Sequence, residues 1–171
     1  DHYVTEETYD ATSEDRRDLL MLKGIVLTEQ QIEEWGDMLT ELPADQVSYT
    51  TAAYETDCAD RAALTCDTFQ YTSTGFTATI STSRDVPVFF SIPYESGWSA
   101  YVNGEEVDIE RVNVGFMAIR VNAGTDVQIE FVYETPGLLL GAVITLVCIT
   151  LLVLYLLCMR TVEKYRRHVV I

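Results

Sequence analysis

Residues 98–109 read WSAYVNGEEVDI, and this stretch decides the fold. Trp98, Ala100 and Val102 alternate with Ser99 and Tyr101, and Val107 and Ile109 continue the alternation on the far side of Asn103-Gly104. Period-two patterning marks half-buried strands, because successive side chains point to opposite faces of a sheet. Both residues of Asn103-Gly104 tolerate the positive φ of a type I′ turn, so the stretch reads as a β-hairpin.

The same pattern extends outward. Upstream, Phe76, Ala78 and Ile80 alternate with Thr77, Thr79 and Ser81, and residues 88–92 form an apolar run. Downstream, residues 116–121, then Asn122-Ala123-Gly124, then Val127, Ile129, Phe131 and Tyr133 read as a second hairpin. About six to eight short strands at this spacing indicate an antiparallel β-sandwich or jelly roll.

Before Pro43 the patterning is helical. Residues 1–11 read as a ragged entry or a short strand. Ser13 can cap a short helix that ends at Lys23, with Gly24 suited to the left-handed residue that follows, and Ile25, Val26 and Leu27 look like a buried strand. Thr28 with Gln31 forms a capping box for a second helix, whose apolar face is Ile32, Trp35, Leu39 and Leu42 and whose stop is Pro43. Glu29, Glu33, Asp37 and Glu41 stack along it at four-residue spacing; a solvated face on an acidic chain explains them better than a cation site.

The C-terminal end is of another kind. Residues 137–159, GLLLGAVITLVCITLLVLYLLCM, bounded by Gly137 and Met159, carry no charged side chain. About 20 such residues span a bilayer as a helix, which satisfies its own backbone hydrogen bonds in lipid. Of the 11 Lys and Arg, 7 precede this run, as do 26 of the 27 Asp and Glu; after it Arg160, Lys164, Arg166 and Arg167 outnumber Glu163. The positive-inside rule then expects the body outside the cell and the tail in the cytoplasm. Only Glu134-Thr135-Pro136 follows Tyr133 before the span, so the outer part should sit near the membrane, with Tyr133 as an interfacial anchor.

The predicted organisation is therefore a mixed helix/strand segment over 1–46, an extracytoplasmic β-sandwich over 47–135, a transmembrane helix over 136–159 and a basic tail over 160–171. The fold class is mainly β with a small α/β N-terminal part. An outer body this acidic repels nucleic acid, which is excluded as a partner. An exported body that opens without a signal peptide is expected to be a piece of a longer protein.

Chemistry is sparse. The two histidines, His2 and His168, fall on opposite sides of the expected membrane, so no His-based triad or zinc site can form outside. No metal-finger cysteine spacing or phosphate loop is present. Glu106, Asp108 and Glu110 read as a solvated face beside a turn rather than an acid/base pair. Cys148 and Cys158 lie in the span; Cys58 and Cys66 lie outside, where disulfides persist, and they can be bridged or free. Tyr94, Trp98 and Tyr101 around Gly97 are the candidate glycan contact, although the alternation favours a core place for Trp98.

Ordered motifs add a family. Pro93-Tyr94, Gly97-Trp98, Val102-Asn103-Gly104, Asn113 to Phe116, Gly124, and Tyr133 to Gly137 resemble the C-terminal end of the YfhO-type bacterial membrane protein family. The resemblance implies the C-terminal outer domain and last helix of a polytopic protein similar to membrane glycosyltransferases. Such enzymes take a polyprenyl-phosphate-linked sugar as donor and act on the outer membrane face, on envelope polymers such as lipoteichoic acid. Their catalytic acids sit in early loops outside this chain, so no catalytic residue, metal or cofactor is expected here. The implied partners are membrane lipid, the remaining transmembrane helices of the longer protein and an envelope glycopolymer. The alternative is a membrane-tethered β-sandwich that binds glycan or protein without transferase activity.

Overall fold

The computed structural model describes residues 2–169, with side chains to residue 164. The chain forms two compact units, one ending at Glu134 and one beginning at Thr135.

The first unit opens with a small parallel sheet. Strand β1 (His2–Thr5) lies between β2 (Gly24–Leu27) and β3 (Thr40–Glu41). Two helices, α1 (Glu6–Ala11) and α2 (Glu14–Lys23), connect β1 to β2, and α3 (Glu29–Trp35) connects β2 to β3. The capping box on α3 is present in full, with Thr28 Oγ1 accepting from the Gln31 amide and the Gln31 side chain accepting from the Thr28 amide. Three local expectations are corrected. Gly24 is extended, at φ −155°, rather than left-handed; it serves close approach, since a Cβ there would meet Val4 Cγ2 at 3.0 Å and the His2 carbonyl oxygen at 3.2 Å. Ser13 occupies the cap position of α2 without a side-chain cap bond. Helix α3 stops at Gly36 instead of Pro43, because the edge of β1 recruits Thr40 and Glu41 into the sheet.

A further helix, α4 (Thr51–Ala63), falls where strands were expected. None of its residues is buried, so it has no apolar stripe for a periodicity reading to find. Polar groups hold it: Asp57 pairs with Lys23, whose side chain is 7% exposed, and the Arg61 guanidinium donates to the carbonyls of Leu22 and Lys23 at the end of α2.

Two antiparallel sheets form the sandwich. The larger has the order β4 (Thr68–Tyr71), β5 (Gly75–Thr82), β11 (Gly124–Tyr133), β7 (Trp98–Val102), β8 (Glu105–Val107); the smaller has β6 (Val86–Pro93), β10 (Phe116–Val121), β9 (Glu110–Val112). The hairpin read from residues 98–109 forms between β7 and β8, with Asn103 at φ 52° and Gly104 at φ 84°. The second expected hairpin does not: β10 pairs β6 and β9 in one sheet, whereas β11 pairs β5 and β7 in the other. Asn122 and Ala123 thus carry the chain across the sandwich. Alternation shows which side chains are inward but not which neighbour a strand takes.

The main core lies between these sheets, from Phe76, Ala78, Ala100, Val127, Ile129 and Phe131 on one side and Val88, Phe90, Met117, Ile119 and Val121 on the other. Gly75 lies so close to β11 that a Cβ would overlap the Phe131 carbonyl oxygen. Strand β10 buries side chains on both faces because it is covered twice. Its Ala118, with Val112, packs against Leu27, Trp35, Met38 and Leu39, while the parallel sheet packs Val4 and Val26 against Leu20 of α2.

The second unit is α5 (Leu138–Val169), of which Leu138–Lys164 is long and apolar enough to cross a membrane. Gly137 precedes it at φ 77°, and Met159 lies within it.

Candidate functional site

The three candidate aromatics do not converge. Trp98 points to the core rim: its ring centroid lies 5.0 Å from Tyr133, 5.7 Å from Phe76 and 6.2 Å from Phe131. Tyr101, three residues on, faces the opposite side of the sheet, in register with Glu130 of β11 and Glu106 of β8. Tyr94 follows β6, is 39% exposed, and donates its amide to the Gly115 carbonyl.

What surrounds Tyr101 is a polar strip on the outer face of the five-stranded sheet. Register places Gln70, Thr77, Glu130, Tyr101 and Glu106 in one row across all five strands, with Thr68, Thr79 and Gln128 in the row beside it. Side chains opposite each other on neighbouring strands lie about 5 Å apart at Cβ, so the Tyr101 ring is flanked directly by the carboxylates of Glu130 and Glu106, with the Thr77 hydroxyl and Gln70 amide further along the row. Such a strip can exchange hydrogen bonds with hydroxyls and stack one ring on an apolar face.

Glu106, Asp108 and Glu110 do not share a strand. Glu106 is in β8 of the larger sheet and Glu110 in β9 of the smaller, with Asp108 between them. Glu110 accepts from Gln31 Nε2 at 2.8 Å, which ties it to the capping box of α3. Among the described residues no group of three or more His, Cys, Asp or Glu is placed to hold a metal ion.

Cys58 and Cys66 are free thiols. Cys58 lies in α4, and Cys66 follows the end of that helix, before β4. Tyr54 hydrogen-bonds Cys58, and that bond is the first cause pushing its hydroxyl pKa up. Cys66 packs against the main core, where burial first, then the Asp67 charge, raises its thiol pKa.

Sequence reading missed two joints. Arg120 on β10 reaches Asp37 Oδ2 at 3.0 Å and Asp85 Oδ2 at 3.4 Å, bracing the segment after α3 against the sandwich. The Asp37 bond is the first cause raising Arg120; Asp85 is lowered, first by the Ala123 amide donating to Oδ1 and also by Arg120. The other joint is Asn113, between β9 and β10, which is 6% exposed and bonded to Val26 of β2. Its signal was present in the sequence as Asn-Val-Gly-Phe, whose first residue tolerates the φ of 47° found there.

The family model described as "Bacterial membrane protein YfhO" matches residues 44–145, from the turn before α4 through both sandwich sheets into α5. The "Uncharacterized protein YfhO" of Bacillus subtilis (strain 168) is 35% identical over 74 residues, which are 43% of this chain and 8% of that protein. The chain thus covers under a tenth of that relative's length. No solved structure matches the chain.

Proposed function

The chain belongs to the YfhO family of bacterial membrane proteins, and on that premise we propose that it is the noncatalytic outer domain and last membrane helix of an envelope glycosyltransferase. The longer protein takes sugar from a polyprenyl-phosphate donor and transfers it to an envelope polymer such as lipoteichoic acid. The body lies outside the cell and the tail in the cytoplasm, in keeping with the charge asymmetry about the span.

The observation that carries this reading is the extent of the family match. Residues 44–145 take in both sheets and the start of α5 without a break, so the sandwich is matched together with the beginning of the apolar helix.

The test is deletion of the full gene in its host, followed by measurement of the glycosyl content of extracted lipoteichoic acid and other envelope polymers. Loss of sugar, restored by the full gene, is the expected result; unchanged glycosyl content overturns the reading.

The polar strip around Tyr101 favours a second reading, a tethered module that binds glycan without transferring it. A full gene encoding a single span would select that module; many spans, with an acidic residue in the first outer loop, would select the transferase.

A further inference from the structure

The carboxyl ends of the neighbouring parallel strands β1 and β3 open into a cavity of about 590 Å³. In open α/β sheets this edge is where ligands settle, because the chain leaves the strands there and exposes a crevice between their connections. The volume is that of a small-molecule site. All but the last few lining residues precede the stretch matched by the family model, and the polar strip around Tyr101 lies on another sheet.

The lining specifies a ligand. One wall is a ladder of hydroxyls: Thr5 Oγ1 donates to Thr8 Oγ1 at 3.0 Å, and Thr12 Oγ1 donates to the Thr8 carbonyl at 2.8 Å. Thr8 Oγ1 accepts in this ladder, and its own proton remains for a ligand oxygen. Glu41 lines the same cavity with an exposed carboxylate, an acceptor for hydroxyl protons. Leu42, Pro43 and Val47, each partly exposed, supply an apolar surface, and Tyr49 adds a ring. No Lys or Arg is among the lining residues; the Arg16 guanidinium lies over the Tyr49 ring at 5.3 Å and pairs with Asp15 at 3.9 Å.

We propose that this cavity binds a neutral, hydroxyl-rich ring, a pyranose unit of a glycan, with its hydroxyls on Thr8 and Glu41 and its apolar face on the Leu42, Pro43 and Val47 surface. The assignment rests on the lining and is independent of the transferase reading.

Saturation-transfer NMR on the whole chain in lipid nanodiscs tests it, with methyl β-glucoside, methyl β-galactoside and N-acetylglucosamine as probes. At least one probe should receive saturation. Glu41→Gln and Thr8→Val, each checked for an unchanged melting temperature, should weaken its binding about tenfold, while Tyr101→Ala should not. Glu41 is exposed and pairs through its backbone, so its replacement leaves the sheet intact. Saturation of none of the probes overturns the proposal, as does binding that survives both cavity substitutions, binding lost with Tyr101→Ala, or binding displaced by acetate or inorganic phosphate.

Discussion

Asn113 and Val26 bond each other twice: the Val26 amide donates to Asn113 Oδ1 at 2.6 Å, and the Asn113 amide donates to the Val26 carbonyl at 3.1 Å. One side chain and one peptide thereby act as the missing strand beside β2. They fasten the N-terminal α/β part to the smaller sandwich sheet, next to the shared apolar cluster of Leu27, Val112 and Ala118.

Asn113→Ala removes the acceptor, leaves a buried Val26 N–H without its partner, and puts a Cβ-bearing residue without the Asn side chain at φ 47°. The expected loss is about 2–4 kcal/mol. Asn113→Gly relieves the backbone part and should lose less. Thermal unfolding of the chain in detergent micelles checks the order wild type, Asn113→Gly, Asn113→Ala; an Ala variant that melts with the wild type would sink the joint.

Trp98 fills the end of the core against Phe76, Phe131 and Tyr133. Trp98→Ala should cost about 3 kcal/mol through lost packing. Trp98→Phe keeps a ring there and should lose well under half of that. If Trp98 instead served as an exposed sugar platform, Trp98→Ala would leave stability unchanged, which the same melting experiment would reveal.

Asp85 contributes stability that depends on pH. Its ionised form is favoured in the folded state, first by the Ala123 amide and also by Arg120, so its folded pKa is depressed below the ordinary 3.8. The contribution is therefore fully present above that ordinary value and is lost as pH falls through the folded one. The melting-temperature gap between wild type and Asp85→Asn should stay constant from neutral pH to mildly acidic pH and close on further acidification. A gap unchanged into strong acid would remove Asp85 as its source.

The chain has 4 cysteines. With Cys58 and Cys66 free, thiol counting on the denatured, unreduced protein should find all four, and two would mean a bridge. In the native protein a thiolate-selective reagent should label Cys58 before Cys66, whose thiol is partly buried and raised in pKa.

The parts legible in the sequence are those whose causes are local. The Asn103-Gly104 turn, the Thr28–Gln31 capping box and the apolar run of α5 each depend on residues within a few positions of one another. Alternation likewise picked out Phe76, Ala78, Ile129 and Phe131 as inward. Helix α4 was not legible because it buries no face; Thr50 as its cap and its alanine-rich composition were the available signals. The candidate site was legible as residue types only: Trp98 and Tyr101 sit three apart in sequence yet on opposite faces of one sheet.

By itself, then, the sequence determined a mainly β body, a small α/β start, a helix long and apolar enough to cross a membrane and the family, because propensity, turn chemistry and hydropathy act over short stretches. Only the tertiary structure decided that β10 and β11 part into different sheets, that Thr40 and Glu41 leave the helix for the edge of β1, and that Asn113 reaches back to Val26. Those outcomes depend on which distant segment satisfies a given backbone edge or covers a given apolar face. Thr40 meets His2 from 38 positions away and Asn113 meets Val26 from 87, and no local pattern records such a choice.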